Sequence, residues 1–135
     1  MTDVARIVIV DDDRAIRWVL ERALAQPDLD VQSFERADTA LEQILRQPPD
    51  VLLTDIRMPG LDGLDLMARI RESHPDLPVI VMTAHSDLDS AVASYQGGAF
   101  EYLPKPFDVD EALALVRRGV AHARERRTPA AVPEG

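Results

Sequence analysis

The segment Ile7-Val8-Ile9-Val10-Asp11-Asp12-Asp13 decides the fold, because an uninterrupted apolar run ends abruptly in three acidic residues. A continuous apolar run is typical of a strand that is buried on both faces of a parallel sheet. Two further runs have the same form, since residues 51–54 precede Asp55 and residues 79–82 precede Thr83. We therefore predict a parallel sheet whose strands end in polar groups along one edge.

Strands and helices are predicted to alternate five times along the chain. Two weaker strands are expected at Asp30–Phe34 and Phe100–Leu103. Apolar residues recur at helical spacing after each strand, and the expected helices lie near residues 16–24, 37–46, 64–73, 88–95 and 109–120. This alternation implies right-handed crossovers and an α/β, doubly wound, three-layer sandwich with a five-stranded parallel sheet.

Local signals predict the helix starts and the exposed positions. Asp62 is placed to cap the third helix and Ser86 the fourth, because a side-chain oxygen at this position accepts a hydrogen bond from a free backbone N–H. Leu66 and Leu115 fall outside the apolar stripes of their helices. They are expected to be exposed, either as ordinary surface leucines or as part of a partner-binding surface.

Composition limits the classes of function. The 135 residues are enough for one domain, predicted at 4–126, with 127–135 as a linker or flexible tail. The absence of cysteine excludes disulfides, thiolate metal sites and a cysteine nucleophile. The net charge of −9 argues against direct contact with nucleic acid. No apolar run approaches the roughly 20 residues of a membrane helix, and no signal-peptide pattern occurs, so a cytoplasmic protein is expected.

The polar residues at the strand ends suit chemistry on a phosphoryl group. Clustered carboxylates bind a divalent cation, and a carboxylate is also a possible nucleophile that forms an acyl phosphate. Lys105, after the fifth strand, can neutralise phosphoryl oxygens, and Thr83 can donate a hydrogen bond. A Mg²⁺-dependent aspartyl-phosphate phosphohydrolase has related chemistry and remains an alternative. A nucleotide-binding domain is disfavoured, since no G-x-x-x-x-G-K loop occurs.

Four segments in the same order resemble the receiver domain of two-component response regulators. They are Ile9–Asp13, Leu53–Gly63, Val81–Ala84 and Leu103–Pro106. Two further stretches, Ile16–Leu24 and Thr83–Asp89, are most similar to receivers of the nitrogen regulatory protein C (NtrC) family of sigma-54-dependent transcriptional activators. The resemblance spans about residues 4–126. It implies a flavodoxin-like fold with strand order 2-1-3-4-5.

The resemblance also implies a role for each residue at the strand ends. Asp55 is expected to accept a phosphoryl group from a sensor histidine kinase. Asp12, Asp55 and the backbone carbonyl of Arg57 are expected to bind Mg²⁺, with Asp11 acting through a water molecule. Lys105 is expected to contact the phosphoryl group and to precede a cis bond to Pro106.

Thr83 and Tyr102 are expected to form the switch pair. Of the three consecutive acids, Asp11 and Asp12 are expected to form the metal-binding pair, because they directly follow the apolar run. Asp13 then caps the first helix, although the alternative register remains open at this stage.

A receiver is a phosphorylation-controlled module rather than a metabolic enzyme, with at most self-phosphorylation from small donors and autodephosphorylation. The expected output is a change in the surface around the fourth helix, followed by homodimerisation. The NtrC-like segments imply ATPase and DNA-binding domains on the C-terminal side and a role in nitrogen regulation. A stand-alone phosphorelay receiver is the alternative.

Overall fold

The computed structural model describes residues 4–84 and 87–127. Within these residues, no helix has both the length and the apolar character needed to cross a lipid bilayer. The predicted linker or tail lies mainly outside the described residues, since Arg127 is the last residue of the final helix.

In the described part of the chain, five strands alternate with five helices. The strands are β1 (Ala5–Val10), β2 (Leu29–Phe34), β3 (Val51–Asp55), β4 (Val79–Ala84) and β5 (Glu101–Lys105). The helices are α1 (Arg14–Ala23), α2 (Ala37–Arg46), α3 (Gly63–Ser73), α4 (Leu88–Gln96) and α5 (Val109–Arg127). All strand pairs are parallel and the order is β2-β1-β3-β4-β5, which confirms the predicted fold and topology.

The continuous apolar runs supply both layers of the core. Ile7 and Ile9 pack in one cluster with residues of α1 and α5, whereas Val8 and Val10 pack in a second cluster with residues of α2 and α3. These four side chains are 0–1% exposed. Burial of one such aliphatic side chain contributes about 1.5–3 kcal/mol, so the central strands are stabilised from both faces. A rigid sheet edge results, and the functional groups are attached to it.

The helix caps confirm two predictions and correct one. Asp13 caps α1 by accepting hydrogen bonds from the backbone N–H groups of Ala15 and Ile16, and Asp62 caps α3. The N-cap of α4 is Asp87, whereas the sequence pattern predicted Ser86, which lies outside the described residues. Both residue types suit this position, and α4 begins at Leu88, where the apolar pattern places it.

The prediction that Leu66 is exposed is wrong. Leu66 is 0% exposed and belongs to the cluster between the sheet and α3, and Leu115 packs against the other cluster. The apolar face of α3 is wider than its strict stripe, because Leu66 and its neighbour Met67 both contact the core. Leu66 is therefore not part of a surface that a partner could contact.

Candidate functional site

The carboxyl ends of β1 and β3 bring three acidic residues together. The two strands are neighbours, so Asp11 and Asp12, which directly follow β1, lie beside Asp55, the last residue of β3. One carboxylate oxygen from each residue lies within 4.8 Å of the others. Asp11 is buried, Asp55 is 8% exposed and Asp12 is exposed, so the cluster opens to solvent on the side of Asp12.

Asp11 is fixed by contacts on three sides. Its Oδ2 accepts a hydrogen bond from Lys105 Nζ at 2.9 Å, and its Oδ1 accepts one from the backbone N–H of Asp13, also at 2.9 Å. Its carbonyl oxygen accepts a hydrogen bond from Arg17 Nη1 at 2.6 Å. A buried carboxylate needs such partners, because an unpaired buried charge is costly. Asp11 is therefore preorganised before any ligand arrives.

Asp55 has one oxygen bound to the backbone and one directed to the lysine. The backbone N–H of Ile56 donates to Asp55 Oδ1 at 2.9 Å, and Oδ2 lies 3.4 Å from Lys105 Nζ. The loop that follows packs closely on this residue, since a Cβ added at Gly63 would lie 2.0 Å from the carbonyl oxygen of Asp55. Glycine is thus required where α3 begins, and the position of Asp55 depends on it.

Burial and like charges change the proton affinities of this cluster. Burial, reinforced by the charge of Asp11, raises the pKa of Asp55 to about 6. Burial also raises the pKa of Asp11, although the hydrogen bond from Lys105 opposes this effect. Burial alone would lower the pKa of Lys105, but its hydrogen bond to Asp11 and the charges of both acids outweigh burial and raise it. The site therefore favours an added positive charge.

The donor set fits a small hard cation. Three carboxylates converge within 4.8 Å, and oxygen ligands of this kind suit Mg²⁺. Asp11, Asp12 and Asp55 would hold the ion, and Asp12 gives access from solvent because it is exposed. Mg²⁺ bound here would offset the repulsion among the carboxylates and neutralise charge on phosphoryl oxygens. Asp13 has a different task, since it caps α1.

Thr83, near the end of β4, connects this edge of the sheet to α4. The side chain is 2% exposed, and its Oγ1 lies 3.3 Å from Asp87 Oδ2. The same Asp87 oxygen accepts a hydrogen bond from Arg57 Nε at 2.7 Å, while Asp87 Oδ1 accepts one from the backbone N–H of Ser90. The hydrogen bond from Arg57, followed by those from Ser90, lowers the pKa of Asp87 to about 2. One carboxylate thus joins Thr83, the loop after β3 and the first turn of α4.

Tyr102 lies on the same side of the sheet as Thr83. In the pairing of β4 with β5, Tyr102 is opposite Val81 and Pro104 is opposite Thr83, so the two predicted switch residues are offset by two positions. The ring of Tyr102 contacts that of Tyr95 in α4 edge to face, with centroids 6.4 Å apart. Tyr102 therefore contacts the last turn of α4, whereas Thr83 contacts the N-cap of this helix.

The model of the response regulator receiver domain family matches residues 7–117. The chain belongs to the response regulator receiver family. The receiver is 60% identical over 121 residues to the DNA-binding transcriptional regulator NtrC of Escherichia coli (strain K12), and 43% identical over 129 residues to that of Azospirillum brasilense. These alignments cover 90% and 96% of this chain but only 26% of each relative. The chain thus spans about a quarter of these curated relatives.

Solved structures agree with this assignment. The solution structure of the apo receiver domain of NtrC has a TM-score of 0.80 at 59% identity and covers 90% of this chain and 98% of that chain. The BeF3-activated form of that domain has a TM-score of 0.76 at 58% identity, with the same coverage. NtrX from Brucella abortus in complex with ADP has a TM-score of 0.87 at 30% identity and covers 98% of this chain and 31% of that chain.

The receiver brings most of the predicted site residues together. Asp11, Asp12, Asp55 and Lys105 form one cluster, and Thr83 lies on the next strand at the same edge. The bond between Lys105 and Pro106 is cis, as the resemblance implied. Arg57 lies two residues beyond Asp55, and binding of Mg²⁺ by its carbonyl stays a prediction.

Sequence reasoning missed Asp87 as the residue that joins Thr83 to α4. A pair of residues that both suit an N-cap, Ser86 and Asp87, precedes α4, and only the structure shows which one binds Thr83 and Arg57. The available signal was the carboxylate itself, since an acid at a helix N-terminus is stabilised by the helix dipole.

Proposed function

We propose that this domain accepts a phosphoryl group on Asp55 from a sensor histidine kinase and thereby switches the surface around α4. The observation that carries this proposal is the convergence of Asp11, Asp12 and Asp55 within 4.8 Å, with Lys105 Nζ 3.4 Å from Asp55 Oδ2. This arrangement places a carboxylate nucleophile, a cation site and an ammonium group around one point. We also propose that the domain works in the cytoplasm.

The chemistry needs little beyond positioning. An ionised Asp55 oxygen attacks the phosphorus of the donor's phosphohistidine, so that a P–O bond forms while the P–N bond breaks and the imidazole nitrogen keeps the electron pair. The ammonium of Lys105 stabilises the charge on the transferred group, because a cation that is partly shielded from water, with its side chain 21% exposed, acts strongly on developing anionic oxygens. At neutral pH Asp55 is mainly ionised, since its pKa is about 6.

The switch follows from the contacts of Thr83. Once Asp55 carries a phosphoryl group, the Thr83 hydroxyl has a new acceptor and leaves Asp87, to which it is bound in this structure at 3.3 Å. The N-terminal end of α4 then loses one of its anchors. Tyr102 is proposed to respond because its ring contacts Tyr95 of the same helix.

We propose an NtrC-type output for this switch. The 60% identity to the E. coli regulator, named a DNA-binding transcriptional regulator, supports a receiver that controls a sigma-54-dependent activator of nitrogen genes. That output would include homodimerisation on phosphorylation and further ATPase and DNA-binding domains on the C-terminal side, since the relatives are about four times as long as the aligned region. Nucleic acid would be contacted by those domains and not by this acidic one.

Phosphoryl transfer from a small donor tests the assignment of Asp55. Incubation with acetyl phosphate and Mg²⁺ should add one phosphoryl group, and mass mapping should locate it on Asp55. Asp55→Asn should remove the label, whereas Asp13→Asn, a matched change of an acid that caps α1, should retain it. Label on Asp11 or Asp12 would instead favour a phosphohydrolase, in which the nucleophile follows the first strand.

A further inference from the structure

Arg71 lies at the carboxyl ends of two helices at once. It belongs to the last turn of its own helix, α3, and its Nη1 donates to the carbonyl oxygen of Pro75 at 3.1 Å. The same Nη1 donates to the carbonyl oxygen of Gly98 at 3.3 Å, in the turn that follows α4. The side chain thus joins the end of α3 to the end of α4.

The end of α4 has no cation of its own. Its last turn contains no basic residue, although the free carbonyl groups there carry partial negative charge. The backbone N–H groups of Gly97 and Ala99 satisfy the carbonyl groups of Ala93 and Ser94, both at 2.9 Å. The guanidinium of Arg71 adds the positive charge that the sequence of α4 lacks.

The two glycines bring this turn into close contact with α3. Gly98 has a φ of +101°, and a Cβ added to it would lie 2.7 Å from the guanidinium carbon of Arg71. A Cβ added to Gly97 would lie 2.9 Å from Cε of Met67. Glycine at both positions therefore lets the backbone approach the two α3 side chains, and the turn is fitted to the present position of α4.

We propose that Arg71 is a positioning residue of the phosphorylation switch, which anchors the C-terminal end of α4 to α3 in the resting arrangement. This inference rests on the proposed function. The N-terminal end of α4 is bound through Asp87 to Arg57 and Thr83, and that anchor loses Thr83 when a phosphoryl group arrives. The second anchor opposes the movement of α4, because displacement of this helix carries the Gly98 carbonyl away from Arg71.

An interaction present mainly in one state shifts the equilibrium toward that state. Loss of Arg71 should therefore make the resting state less favourable and raise the affinity for a phosphoryl analogue by the same factor, since binding and conformational change are linked. A residue with a merely structural role would lower stability without any change in this affinity.

The test compares Arg71→Gln and Arg71→Lys with Arg69→Gln, a matched change at an exposed position of the same helix. Amide hydrogen exchange at residues 93–99 should accelerate about two- to fivefold in Arg71→Gln, the factor expected for a cation at a helix C-terminus. The affinity is measured with beryllofluoride, which stands in for the phosphoryl group. Its concentration for half-saturation at fixed Mg²⁺, followed by NMR, should fall by a similar factor. Arg71→Lys should lie between, because lysine keeps the charge without the planar fork.

Arg69→Gln should match the wild type in both measurements. Unchanged exchange at residues 93–99 in Arg71→Gln would overturn the anchor, and faster exchange with unchanged beryllofluoride affinity would overturn the positioning role. A wild-type protein that binds no beryllofluoride would contradict the proposed function, and with it the role of Arg71 in the switch. In that case the exchange comparison would still show whether Arg71 caps α4.

Discussion

The Thr83 hydroxyl donates to Asp87 Oδ2 across 3.3 Å, so the strand end beside the proposed phosphorylation site is bonded directly to the N-cap of α4. This oxygen also accepts a hydrogen bond from Arg57 at 2.7 Å. A single carboxylate therefore couples the position of Thr83 to that of α4. Loss of the Thr83 hydroxyl should allow phosphorylation of Asp55 without the movement of α4.

Thr83→Ala should weaken the response of α4 to activation. Beryllofluoride, which stands in for the phosphoryl group, should change amide exchange in the wild type most strongly at residues 87–102. In Thr83→Ala this change should fall to less than about half, because the variant lacks the hydroxyl through which the analogue acts on Asp87. Thr83→Ser keeps a hydroxyl and is the matched control. Labelling of Asp55 should persist in both variants, and an undiminished exchange response in Thr83→Ala would refute the coupling.

Mg²⁺ should raise the melting temperature of the unphosphorylated protein, since it binds the folded acidic cluster and not the unfolded chain. Asp12→Ala should abolish this increase, because Asp12 supplies an exposed carboxylate to the cluster. Asp13→Ala should retain the increase while it lowers the melting temperature, since loss of an N-cap costs about 1 kcal/mol. Thermal scans with and without Mg²⁺ measure both effects. The opposite pattern in the two variants would show that the metal register is shifted by one residue.

Asp55→Asn should stabilise the metal-free protein at pH 7.5. The pKa of Asp55 is raised from 3.8 to about 6 in the folded state, so the folded protein binds more protons than the unfolded chain between these values. Stability due to this group therefore falls as the pH rises from about 4 to 6 and stays constant above. A neutral asparagine avoids this loss, and the gain should be about 1–3 kcal/mol.

Urea unfolding without Mg²⁺ at pH 7.5 and pH 4 measures the gain. It should disappear at the lower pH, where Asp55 is largely protonated in the folded state. Equal effects of the substitution at the two pH values would show that the charge of Asp55 is not the cause.

Gly63→Ala should displace Asp55, the proposed phosphoryl acceptor. The added Cβ would lie 2.0 Å from the carbonyl oxygen of Asp55, so the backbone must move. We expect a loss of at least about 2 kcal/mol in the free energy of unfolding, together with slower labelling by acetyl phosphate. Gly60→Ala is the matched control, because Gly60 has a φ of +77° but, apart from its chain neighbours, no residue lies within 4 Å of an added Cβ. It should lower stability through backbone strain and leave the labelling rate nearly unchanged.

Local patterns were sufficient for the strands and for the polar residues at their ends, whereas the strand order that places β1 beside β3 came from the family resemblance. Ile7 and Val8 face opposite helical layers, and a run without polar residues is typical of a strand covered on both sides. Asp11 and Asp55 then meet, since parallel neighbouring strands end at the same edge. Their roles in phosphoryl transfer came from the family resemblance and stay predictions.

Contacts between distant segments were not predictable in the same way. Leu66 is buried because the neighbouring elements cover a wider face of α3 than its own stripe indicates. The interaction of Arg71 with Gly98 joins residues 27 positions apart, and no local pattern distinguishes Arg71 from the exposed Arg69. Such contacts depend on how helices lie against each other, which single-sequence periodicity does not determine.

The last turn of α4 contains no basic residue, and the charge at its end comes from another helix. With the role proposed for Arg71, the threshold of the signal can therefore be adjusted at this residue while Asp55, the proposed phosphoryl acceptor, remains unchanged. A receiver with this arrangement has separate controls for the rate of its phosphorylation and for the extent of phosphorylation that is needed before the output responds. Related signalling chains could thus diverge in sensitivity through substitutions on α3 alone and still share one phosphorylation chemistry.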